Sequence, residues 1–79
     1  MDCKYQLILK NDNKNSYDYV MAVLIKVCYH ELLQAEQCAI ITHNNGQCDV
    51  FSGDLDTILE KENMLKELGL IVEKEKVCV

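Results

Sequence analysis

The sequence predicts an α+β fold, a small sheet with three helices packed against it. Three observations point there: two short stretches, residues 5–9 and 47–52, place apolar residues at alternate positions (Tyr5, Leu7 and Leu9; Cys48 and Val50); three other stretches carry apolar residues at helical spacing; and a glycine follows two of those helical stretches. In chain order the elements read β-α-α-β-α-β.

In the first strand Tyr5, Leu7 and Leu9 face one way. Ser16 is the expected N-cap of the first helix, with Asp18 in the first turn, where the helix dipole favours a negative charge. Tyr17, Val20, Met21, Leu24, Val27 and Cys28 form its stripe, and Val23 and Ile25 off the stripe make it a central helix. The second helix spans residues 32–44, with Leu32, Ala35, Ala39 and Thr42 on one side and Asn45-Gly46 as its stop. In the second strand Cys48 and Val50 oppose Asp49 and Phe51. Asp54 caps a third helix carrying Leu55, Ile58, Leu59, Leu65 and Leu68 before Gly69. An extended segment then runs from Leu70 to Val79, its "EKEK" suited to an exposed edge strand. Residues 1–4 read as a short tail and 5–79 as one domain.

A chain of 79 residues buries only about 60% of the surface its unfolded form exposes, which leaves little core to surround an elaborate active site. No nucleophile elbow, P-loop or dinucleotide-binding glycine turn is present, so the expectation is a binding protein and not an enzyme. The net charge of −5, with eight lysines and no arginine, argues against nucleic acid. No run of about 18 apolar residues and no signal-like start appear, so no membrane association is expected and a cytoplasmic location is. Five cysteines, an odd number without any C-x-x-C, read as small buried hydrophobes. They do not read as a disulfide framework or a metal site, and no cofactor is implied.

Two constellations carry possible chemistry. One is the amide-rich "NDNKN" between the first strand and first helix. The other is the end of the second helix, where Ala39, Thr42 and His43 share a face at i, i+3 and i+4. Each alone has a plain explanation: Asn and Asp form turns, and His suits the negative end of a helix.

Together, "LILKNDNKNSYDYV", "VLIKVCYHELLQAEQCAIITHNNGQ" and "KELGLIV" resemble the ClpS family, adaptors of Clp AAA+ proteases that bind N-degrons, substrates whose first residue is large and apolar. The resemblance covers roughly residues 4–73 and implies a three-stranded antiparallel sheet packed against three helices, a fold shared with the ribosomal stalk protein's C-terminal domain. The family's Asn-Asp pair and helix-end His fall on Asn11, Asp12 and His43, with Ala35 and Gly46 also in place. The resemblance implies that these three accept hydrogen bonds from a substrate's free α-amino group. A carboxylate, an amide carbonyl and a neutral imidazole nitrogen are suited to an ammonium with three donors. It further implies a side-chain pocket at Asn15, Tyr17, Val20, Ala39 and Thr42, with Leu24 deeper, and docking of the unfoldase's N-terminal domain through Asp56 and Lys61 on the third helix.

Four departures from the family pattern stand out. Asn13 replaces a common second acid, no proline precedes the first helix, Tyr17 stands where Met is common, and Ala39 and Thr42 replace larger apolar residues. The short tail also differs from the long one that helps family members deliver substrate. The competing expectation is an interaction domain of the same fold that docks the Clp chaperone or another partner without reading N-degrons.

Overall fold

The first apolar alternation becomes the middle strand of the sheet. In the computed structural model, which describes residues 3–12 and 14–78, β1 (Cys3–Lys10) is flanked by β2 (Gln47–Gly53) and β3 (Val72–Cys78), both antiparallel to it. Met1, Asp2, Asn13 and Val79 lie outside the described residues. The helices are α1 (Tyr17–Val27), α2 (Leu32–Asn45) and α3 (Leu55–Glu67), in the expected order. β1 begins before Tyr5 because Cys3 and Lys4 already pair with Cys78 and Val77.

Leu7 and Leu9 are buried together with Leu24, Val27, Ile58 and Leu65 in one cluster that joins the sheet to all three helices, and Tyr5 packs against it. On α1 the buried residues are Val23, Leu24 and Val27, while Tyr17 at the helix start is 45% exposed. The core face therefore takes in Val23, which the expected stripe left out. On α2, Ala35, Cys38, Ala39 and Thr42 are buried, but Leu32, one turn earlier on the same face, is 65% exposed. The packed part of α2 begins at Ala35.

Both expected caps form. Ser16 Oγ accepts from the Tyr19 N–H at 3.2 Å, and Asp54 Oδ1 accepts from the Thr57 N–H at 2.9 Å, each satisfying a donor that a helix start leaves free. α2 ends at Gly46, whose φ of 92° lies in the left-handed region that glycine enters without a steric penalty. Gly69, with φ 90°, follows α3 in the same way.

β2 departs from simple alternation. Leu7 pairs with Phe51 and Ile8 with Asp49, so Val50 is an extra residue without a partner on β1, a bulge. Cys48 and Phe51 consequently both pack against the core, and Val50 is buried as well. The carbonyl of Val50 accepts from Nε2 of the buried His30 at 2.6 Å. That bond ties the α1–α2 connection to the bulge.

Cys28 and Cys38 are buried free thiols, as expected. Cys3 and Cys78 instead face each other in the strand register, with Cα atoms 4.3 Å apart, and form a disulfide. A separation of 75 residues hides that pairing from a reading of local spacing. β3 keeps its expected character, with Val72 buried and the charged residues between Glu73 and Lys76 exposed.

Leu24 is fully buried at the centre of α1, and Leu24→Ala is expected to lower the unfolding free energy by about 2–5 kcal/mol, read as a lower midpoint in urea denaturation. Burial pushes the Cys28 thiol up to about 11, with the nearby Lys61 charge opposing this only in part. The native state thus favours the protonated thiol, and that contribution is complete below the pH near 9 where an unfolded cysteine ionises. It is lost as pH rises through about 11. Stability of the wild type should therefore fall more steeply over this interval than that of Cys28→Ala, whatever the variant's packing cost at neutral pH.

Candidate functional site

β1 hands the chain to the amide-rich loop at Lys10, whose N–H still bonds to Ile71 O at 2.8 Å. The next N–H, that of Asn11, donates to Gly46 O at 2.9 Å. Because Gly46 terminates α2, this single bond brings the loop beside the last helical turn that carries His43. Asp12 then organises the loop from within. Its Oδ1 accepts from the backbone N–H groups of Lys14 and Asn15 at 2.9 and 3.0 Å, an Asx-type turn.

Asn11, Asp12, Asn15 and His43 line one cleft. Its apolar walls come from α1 through Tyr17 and Val20, and from α2 through Ala39 and Thr42. Of the nine residues expected at a substrate site, eight meet here. The ninth, Leu24, is fully buried in the core. Three residues not anticipated also line the cleft: Leu9, Lys10 and Leu70. Leu9 and Leu70 carried a usable signal, since one is the last inward residue of β1 and the other is the first apolar residue after the Gly69 stop.

Tyr17 packs against His43 with ring centroids 5.3 Å apart and planes tilted by 54°, within the range of favourable aromatic pairs. The contact joins the start of α1 to the end of α2 and restrains the imidazole at the rim. Thr42 is less polar in effect than its formula, because its hydroxyl donates to Cys38 O at 2.7 Å inside the helix. Lys10 is engaged on the rim, its amine 2.5 Å from Gln47 Oε1 and 3.6 Å from a Glu73 carboxylate oxygen. The negative charge of Asp12 is thus not neutralised by the nearest lysine along the strand. A cleft lined both by apolar side chains and by a carboxylate, amides and an imidazole is equipped to hold a compact cation attached to an apolar group.

The family model described as the ATP-dependent Clp protease adaptor protein ClpS matches residues 1–73. The chain belongs to the ClpS family. Its role is accordingly that of a Clp protease adaptor. Among solved structures, the ClpS2 protein of Agrobacterium tumefaciens bound to L-phenylalaninamide superposes with a TM-score of 0.79 at 23% identity, covering 92% of this chain and 95% of that one. This shows that the two share the α+β fold. No curated protein matches the sequence.

The two positions expected on the ClpS docking helix differ in setting. Asp56 is exposed in the first turn of α3. Lys61 is buried, its amine 3.3 Å from the Tyr29 hydroxyl and 4.3 Å from the centroid of that ring, a cation–π contact. Tyr29 itself is 74% exposed and has a φ of 58°. No helix is long and apolar enough to cross a membrane among the described residues.

Proposed function

We propose that this protein binds the free N-terminal residue of N-degron substrates and hands them to a Clp AAA+ unfoldase. The observation that carries the reading is that Asn11, Asp12 and His43 line the same cleft as Tyr17, Val20, Ala39 and Thr42. The α-ammonium of a substrate meets the three acceptors, and its first side chain lies along the apolar walls. Burial of a Leu or Phe side chain contributes roughly 1.5–3 kcal/mol, while the ammonium contacts set orientation. An internal peptide N–H has one donor and no charge, so it leaves the acceptors desolvated without partners. The L-phenylalaninamide on the Agrobacterium ClpS2 is a ligand of this chemistry, a free amine beside an aromatic side chain.

Docking of the unfoldase's N-terminal domain is assigned to α3 through Asp56 and Lys61. For Lys61 this requires the amine to engage a partner from beside Tyr29. The same reading puts the protein in the cytoplasm, where thiols are kept reduced and the Cys3–Cys78 bond is open to reduction.

A titration with peptides beginning with free Leu or Phe, against acetylated copies, tests recognition directly. Saturable binding of the free peptides and none of the acetylated ones is expected; equal binding, or binding of neither, removes the N-degron reading. His43→Ala and Asp12→Asn should each weaken the free peptide by roughly tenfold or more with little change in thermal midpoint. His43 is exposed, and the amide that replaces the Asp12 carboxylate retains an acceptor oxygen for the loop. Unfolding of the His43 variant would instead assign that residue to stability.

A further inference from the structure

Asn15 lines the cleft, but its side-chain amide is engaged by other groups of the protein. Its Nδ2 donates to Asp12 Oδ2 at 3.0 Å, with a longer 3.3 Å contact to Oδ1, and to Gly69 O at 3.0 Å. Both amide hydrogens are thereby used, one on the Asp12 carboxylate and one on the carbonyl that follows α3. The Asp12 carboxylate is loaded unequally as a result. Oδ1 takes the Lys14 and Asn15 backbone N–H groups as well as the longer amide contact, which exhausts its two lone pairs. Among the described residues, Oδ2 takes one donor, the Asn15 amide, which leaves it acceptor capacity.

We infer that Asn15 is a positioning residue for ammonium recognition, acting through Asp12 and not as a wall of the side-chain pocket. It stops rotation of the carboxylate, so that the oxygen with acceptor capacity is always Oδ2, and it braces the loop against the α3–β3 connection at Gly69. The two backbone bonds hold Oδ1, and the Asn15 amide adds a second point of restraint at Oδ2. A charged acceptor held in one orientation gains affinity because less freedom is lost on binding. This inference deepens the proposed function and rests on it.

The test uses two peptides that differ only at the amine: one begins with free Phe, and its des-amino copy begins with a 3-phenylpropanoyl group. Wild-type protein must prefer the free peptide; equal affinity for both ends the N-degron reading itself, whatever Asn15 does. Given that preference, Asn15→Ala is expected to weaken the free peptide roughly tenfold, to leave the des-amino peptide unchanged, and to add no further loss in the Asp12→Ala background. Asn15→Leu, which keeps the branched outline and removes both donors, should lose as much as Asn15→Ala. Equal weakening of both peptides, full additivity with Asp12→Ala, or wild-type affinity in Asn15→Leu would each overturn the positioning role and return Asn15 to the pocket wall.

Discussion

Two helix-ending glycines hold the cleft end of this molecule together. Gly46 and Gly69 both adopt positive φ, a conformation that lets a helix stop and turn without strain on a side chain. Each then offers a carbonyl to the loop after β1: Gly46 O receives the Asn11 N–H, and Gly69 O receives the Asn15 amide. A loop without glycine or proline is thereby held at both ends by hydrogen bonds. The Gly46 carbonyl is one that the end of α2 leaves without an intrahelical partner, so the contact that satisfies that helix end also places the loop.

The second consequence is that the cleft adjoins the core. Leu7, Leu24, Ile58 and Leu65 are fully buried, Leu9 and Leu70 belong both to the core and to the cleft, and the polar lining residues of the loop and His43 sit at element ends. Element ends are where unpaired polar groups gather, and a small domain can build the polar lining of a cleft there. Tyr17 illustrates the economy of the arrangement, since one ring lines the cleft and restrains His43.

Much of the candidate site is legible in the amino-acid sequence. Asn11, Asp12 and His43 are conspicuous there because amides cluster where a strand meets a helix and because the His lies one turn before a glycine stop. What stays hidden depends on pairs distant along the chain. Asn15 is expected in the side-chain pocket, and its bond to Gly69 O, 54 positions away, leaves no trace in the sequence. Lys61 looks like an ordinary charged helix position, yet the Tyr29 ring covers its amine and leaves the residue 5% exposed. His30 carries no local signature, and it is buried because the Val50 bulge presents a carbonyl to it.

By itself the sequence determined the identity and order of the elements, both side-chain caps and the two glycine stops, because periodicity, capping and positive φ are local properties of the chain; the cleft residues were legible through the resemblance to the ClpS family. Only the tertiary structure decided that β1 lies in the middle, that β2 carries a bulge which turns Phe51 inward, that Cys3 meets Cys78, and that Leu9 and Leu70 close the cleft. Those outcomes follow from which strand edges and helix ends meet, and a contact between residues dozens of positions apart leaves no periodic mark on either one.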